Sequence, residues 1–261
     1  IDPSGGTSDI SIRKLKILHD ASFTDDPTRI LRAVRYLVRL NCSLEYRTDI
    51  LFQKGLKYLQ RVSSDRIRSE FDRILAEMNI SQILRESRDN GVLSAVHPAL
   101  NINEQMYSVL NSPDYLLEPS NHVLYAALTF DSTESLRNDL GIRLNLTPKF
   151  KTVLNQVGEI KSLFHILSDP EIKPVEVWSR LRNFETAAIK GCSLSLSDTA
   201  VKKNLDFYIQ DLYDIKPLLN GKALIDMGVV AGPDVGYMLN ALIKARLEGK
   251  LLSLKDEKEY I

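Results

Sequence analysis

Cysteine is nearly absent from this 261-residue sequence: Cys42 and Cys192 stand far apart, with no CxxC pair and no Cys/His cluster. That argues against a disulfide framework and against a zinc site, and it fits reduced thiols in a cytoplasmic protein. Long hydrophobic runs are missing as well. The longest is Val123–Phe130, far short of the roughly 20 residues needed to span a bilayer, so no membrane partner is expected. Charge of one sign is not in excess, with 34 Lys and Arg against 34 Asp and Glu. This argues against a polybasic binder but leaves room for a local basic patch. No glycine-rich loop of P-loop or Rossmann spacing occurs. No Ser-His-Asp or Cys-His arrangement can be picked out. Only His19 has an aspartate after it, Asp20, while His97, His122 and His165 do not. No metal site is therefore expected. No two aspartates stand two residues apart, so the DxD pattern that holds paired magnesium ions is also lacking.

What is present is helical periodicity. Apolar residues recur at a spacing near 3.6 and strand-like alternation is scarce, which predicts an all-α fold. Asp25-Asp26-Pro27 reads as a helix start, because proline and acids suit a first turn. That helix is expected to run to about Leu40 and stop near Asn41. Further helices are expected over about 46–59, from Ser63 or Ser64 to about Met78, and up to Gly91. Thr147-Pro148 reads as another start, and Gly141 and Gly191 as stops. Asn220-Gly221 and Ala231-Gly232-Pro233 read as turns. After the second of these, Val235, Met238, Leu239, Leu242 and Ile243 form one apolar stripe. Trp178, Tyr208, Tyr213 and Tyr237 are spaced like core or interface residues.

The first long helix has two unlike faces. At about 100° per residue, Arg29, Arg32, Arg35 and Arg39 fall within roughly 120° of one another, and Ile30, Leu31, Val34, Leu37 and Val38 lie opposite. Guanidinium groups in a row suit phosphate, since the planar fork donates in pairs and keeps its charge. The plainer reading is a solvated face balanced by nearby carboxylates. Residues 1–90 hold 16 basic and 13 acidic side chains, and residues 91–261 hold 18 and 21, so the basic side lies in the N-terminal third. Asp26 and Arg29, three apart, can present an acceptor beside a donor. Such an edge would accept from the exocyclic amine of adenine or cytosine and donate to the adjacent ring nitrogen, and it would refuse guanine and uracil. The plainer alternative is that an aspartate caps the helix with Arg29 as its surface partner.

The continuous string Ser22-Phe23-Thr24-Asp25-Asp26-Pro27-Thr28-Arg29-Ile30-Leu31-Arg32-Ala33-Val34-Arg35-Tyr36 is more specific than its parts. It resembles the neck-helix motif of class II tRNA nucleotidyltransferases and bacterial poly(A) polymerases. Asp2-Pro3-Ser4-Gly5-Gly6 with Asp9 is similar to that family's linker from head to neck. Val62-Ser63-Ser64-Asp65-Arg66-Ile67-Arg68-Ser69-Glu70 is similar to its next helix start. The segments from Pro217 to Ile225 and from Gly232 to Gly236 resemble its bacterial tail. Asp25 stands where many members have Glu, Lys16 where the linker often has Arg, and Ala223 where the tail often has Asp.

The resemblance implies an elongated array of helices. Residues 1–18 would be the linker from a catalytic head, 19–90 the neck, 91–214 a helical body and 215–261 a tail that grips the tRNA elbow. It implies that Asp26 and Arg29 form a protein template for the base of ATP, with CTP as a second candidate. Asp25 and Arg66 would support that template, and Arg32, Arg35 and Arg39 would face nucleotide or RNA. The expected partners are a tRNA or other RNA 3′ end and the head domain. The magnesium ions would belong to that head, so the chain alone is expected to hold no cofactor, to carry no catalytic residue and to transfer no nucleotide. The opening Ile1-Asp2-Pro3, without an initiator Met, fits a piece of a longer protein. The alternative from a different class is a helical protein-interaction module on the same scaffold, favoured only by 92–214, where no basic patch resembling the family's appears.

Overall fold

The computed structural model describes residue 2, residues 5–112 and residues 120–261. Pro3 and Ser4 of the linker-like motif lie outside the described residues. The described chain is all-α, as its periodicity predicts. Among the described residues a single short parallel sheet joins β1 (Lys14–Leu15) to β2 (Ser43–Leu44), with Lys14 opposite Ser43 and Leu15 opposite Leu44.

The chain divides into two compact units. One comprises Ile1–Ser162 with Glu185–Ser197, the other Leu163–Phe184 with Asp198–Ile261. The first unit opens with α1 (Gly6–Ser11), α2 (Ser22–Asp25), α3 (Thr28–Arg39), α4 (Tyr46–Gly55), α5 (Ser64–Leu75) and α6 (Ile80–Asp89). Helix α3 buries Ile30, Leu31, Ala33, Val34 and Leu37 and packs on α5 and α6. It ends at Arg39, and Asn41 then takes a left-handed turn at φ 48°, a conformation asparagine tolerates better than most residues.

Three expectations about element boundaries change. The helix expected from the Asp25-Asp26-Pro27 start is one helix, α3, but it begins only at Thr28: Asp26 breaks the chain between it and the separate short helix α2 in an extended conformation at φ −140°, ψ 91°. Proline disfavours helical geometry in the residue before it, so Pro27 imposes the break. The helix over 46–59 is α4 up to Gly55 and then a 3₁₀ stretch, Leu56–Arg61. Gly141 and Gly191 stop nothing, since they lie inside the helices Glu134–Arg143 and Thr186–Leu194. Packing explains the second. A Cβ at Gly191 would sit 2.4 Å from Ala126 Cβ and 3.0 Å from the backbone of Val123 and Ala127. The helices Asn121–Leu128 and Thr186–Leu194 therefore meet at backbone distance, and tertiary contact overrides glycine's local preference.

The second unit has its own small core of Leu219, Leu224, Leu242, Ala245 and Leu251. Asn220 caps the helix Gly221–Asp226 rather than forming a free turn, accepting from Ala223 N at 2.9 Å. The helix Pro233–Leu247 carries the expected apolar stripe, with Leu242 buried and Val235, Met238 and Leu239 packed against the core. Glu257 is fully buried; it accepts from the backbone of Leu218 (3.0 Å) and Leu219 (2.8 Å) and from Arg246 (3.0 Å). Trp178 and Tyr208 are core residues, while Tyr213 and Tyr237 are exposed. No helix among the described residues is long and apolar enough to cross a membrane.

Candidate functional site

The break at Asp26 sets the geometry of the whole site. Its extended backbone turns the carboxylate back over the start of α3. There Oδ1 accepts from Thr28 N at 3.1 Å and from Thr28 Oγ1 at 2.5 Å. The helix is thus capped from one residue ahead of Pro27. Two guanidinium groups complete the shell: Arg32 Nη2 donates to Oδ2 at 2.8 Å and Arg66 Nη2 to Oδ1 at 2.9 Å. Burial alone would raise the Asp26 pKa. The Thr28 hydroxyl and the charges of Arg32 and Arg66 outweigh it, and the carboxyl is held below its ordinary value.

Arg29 does not pair with Asp26. Its Nη1 donates to Ser22 Oγ at 2.6 Å and to the Ser22 carbonyl at 3.4 Å. Both it and Arg32 line an open cleft of about 350 Å³ whose other walls include Leu15, Ile17, Phe23 and Tyr36. On its other side Arg32 lines a second, polar cleft with Arg66, Glu70 and Arg73. Arg32 therefore stands between the two clefts, in the place beside Asp26 that the motif spacing assigned to Arg29.

The remaining arginines of the stripe meet carboxylates. Glu70, on α5, is 8% exposed and lies within reach of Arg32 (3.6 Å), Arg35 (3.5 Å) and Arg73 (2.7 Å). Glu77 takes Arg35 at 2.9 Å and Arg39 at 3.6 Å. Arg35 is largely enclosed, with 13% of its side chain exposed, whereas half of Arg39 is open. Asp25 is exposed and faces His19 Nδ1 at 3.9 Å. Asp20 pairs with Arg47.

The structure brings Asp26, Arg66 and Arg32 to one place; sequence reasoning put Arg29 rather than Arg32 beside Asp26 and missed Ser22, Thr28, Glu70 and Glu77. The signal for the last two was available. They lie seven residues apart, about two helical turns, opposite a row of arginines spaced by three and four.

The comparisons with known proteins bear on this arrangement. Residues 43–103 match the family model described as the probable RNA and SrmB-binding site of polymerase A. The A-adding tRNA nucleotidyltransferase of Geobacter sulfurreducens is 23% identical over 98% of this chain and 31% of its own length. The CCA-adding enzyme of a Lactobacillus delbrueckii strain is 24% identical over 96% of this chain and 64% of its own length. The structure of the Thermotoga maritima CCA-adding enzyme complexed with tRNA superposes with a TM-score of 0.83 at 23% identity, covering all of this chain and 66% of that one. The chain thus spans between about one third and two thirds of the length of these relatives. Over nearly its whole length the chain is similar to tRNA nucleotidyltransferases, part of it matches the RNA-binding model described for polymerase A, and its fold is that of the helical part of the CCA-adding enzyme.

Proposed function

We propose that this chain is the RNA- and nucleotide-binding portion of a tRNA nucleotidyltransferase, CCA- or A-adding, or of a poly(A) polymerase, and that it selects ATP or CTP by the base while holding the tRNA. The observation that carries this reading is a carboxylate, Asp26, fixed by a helix start and by Arg66 and bonded to Arg32, which with Arg29 lines a partly apolar cleft. A flat base suits such a cleft. In this reading Asp26 accepts from the exocyclic amine of adenine or cytosine, and Arg29 exchanges Ser22 for the neighbouring ring nitrogen. Guanine and uracil would place an oxygen against the carboxylate and leave two acceptors unpaired, which costs affinity. Arg32 is the donor that must yield, and the polar cleft on its far side gives it a place to meet phosphate. The matched RNA-binding family model and the tRNA-bound relative support the RNA half of the reading.

Fluorescence anisotropy against a labelled tRNA and a labelled oligo(A), across a salt series, tests it. The expected result is a preference for tRNA that weakens with salt and is lost when Arg32, Arg35 and Arg39 are changed to Gln. Equal, salt-independent or absent binding to both RNAs overturns it.

A further inference from the structure

Arg66 reaches Asp26 from the first turn of α5, so the accuracy of that contact depends on how firmly the turn is held. Ser63 stands at its N-cap without a side-chain hydrogen bond, so the usual local brace is missing. The brace comes instead from a corner about eighty residues further along the chain. Arg143, the last residue of the helix Glu134–Arg143, donates through Nη2 to the Leu59 carbonyl at 2.8 Å and through Nη1 to the Val62 carbonyl at 3.1 Å. It has no carboxylate partner within ion-pair distance among the described residues, and its buried Nε makes no hydrogen bond. Two residues on, Asn145 holds a left-handed backbone at φ 48° and donates its side-chain amide to Asp65 Oδ1 at 3.1 Å, while Arg68 donates to the Asn145 carbonyl. The corner thus grips the chain on both sides of the α5 start: the carbonyls of Leu59 and Val62 before it, and Asp65 and Arg68 within its first two turns.

We propose that Arg143, with Asn145, is a positioning residue for base selection: it fixes the start of α5 so that Arg66 holds the Asp26 carboxylate at the orientation that discriminates adenine from guanine. The proposal rests on the reading of Asp26 as the base acceptor. Arg143 touches neither nucleotide nor RNA in this scheme. A partly buried guanidinium with no counter-charge is costly, and its two long-range hydrogen bonds to the Leu59 and Val62 carbonyls are what that cost secures.

The test is equilibrium binding of ATP and of GTP to the full-length protein carrying Arg66→Ala, Arg143→Met, both together, or Asn145→Ala, with the thermal midpoint measured for each. Arg66→Ala is expected to lower the ATP-over-GTP preference about tenfold, the size of one charge-assisted hydrogen bond. Arg143→Met is expected to lower it by a similar factor, and the double variant no further, because both act through one contact. Asn145→Ala, which keeps the half-buried Arg143 guanidinium and so should fold where Arg143→Met does not, is expected to lower it about threefold. If Arg66→Ala leaves the preference intact, the base-acceptor reading itself fails. If Arg66→Ala abolishes the preference while Arg143→Met and Asn145→Ala shift only the thermal midpoint, the corner is merely structural and the proposal is overturned.

Discussion

Arg66 meets Asp26 at 2.9 Å across forty residues of sequence, and each side chain reaches the other from the start of a helix. The pair joins the N-terminal ends of α3 and α5 through a single carboxylate that also caps α3. A change at Asp26 therefore alters two helix starts and one candidate recognition group together.

Asp26→Asn keeps the Thr28 contacts and removes the charge. Nucleotide binding by the full-length protein is expected to lose about tenfold of its preference for ATP over GTP, read by competition titration. Its effect on stability has a definite sign. The folded carboxyl lies below its ordinary value of 3.8. Its contribution is complete above that value and is lost as pH falls through the lower folded one. Urea unfolding from pH 5 to pH 2 should fall less steeply for the variant than for the parent.

His97 and His122 set a second window. Burial lowers both from 6.5; for His97 the nearby Asp139 opposes and Arg143 adds to the shift, and for His122 Lys149 adds and Glu185 opposes. His97 Nδ1 accepts from Ala99 N at 3.1 Å, and His122 stacks on Phe150 with ring centroids 3.8 Å apart. The unfolded chain takes up protons at a higher pH than the folded one, so stability is full above about pH 6.5 and declines as pH falls through that value. The variant His97→Asn with His122→Phe retains an acceptor and a stacked ring. It should flatten the thermal midpoint between pH 7 and pH 5, and an unchanged slope would refute the assignment.

Glu70 is the one carboxylate among the described residues that contacts three of these arginines. Glu70→Ala removes that partner from the largely enclosed Arg35 and from the partly exposed Arg32 and is expected to cost about 2–4 kcal/mol in chemical denaturation. Arg73→Ala should cost less than about 1 kcal/mol, because more than half of that side chain is in water.

The backbone-distance contact at Gly191 gives a purely steric prediction. Gly191→Ala forces its Cβ onto Ala126 and should destabilise by about 1–3 kcal/mol despite alanine's better helix propensity. Shortening the opposing residue with Ala126→Gly in the same chain should recover part of the loss. A neutral Gly191→Ala would mean that the two helices separate at little cost.

The features legible in the sequence were those that depend on near neighbours in the chain. The two faces of α3 follow from the spacing of its arginines and aliphatics, and the stripe on Pro233–Leu247 follows likewise. The start of α3 beside Asp25-Asp26-Pro27 was legible too, but the acidic pair suggested it two to three residues early and the extended Asp26 was not foreseen. What could not be read locally was which face of α5 turns toward α3, and that choice supplies Glu70, on the helix, and Glu77, two residues past its end, to the arginine row. Arg32's place beside Asp26 follows from the same packing. Gly191 was misread for a similar reason. As a string it resembles a terminator, and its role appears only when Ala126 lies against it.

The paired row of arginines also bears on how strongly salt should weaken RNA binding under the proposed function. A phosphate that captures an exposed arginine frees a cation from the nucleic acid. A phosphate that captures Arg35 must first displace Glu70 or Glu77, and the uncovered carboxylate then gathers a cation of its own. Ion release and ion uptake nearly cancel at that position. The number of arginines in contact should therefore exceed the number inferred from the salt slope, and the difference would count the internal ion pairs that RNA has replaced.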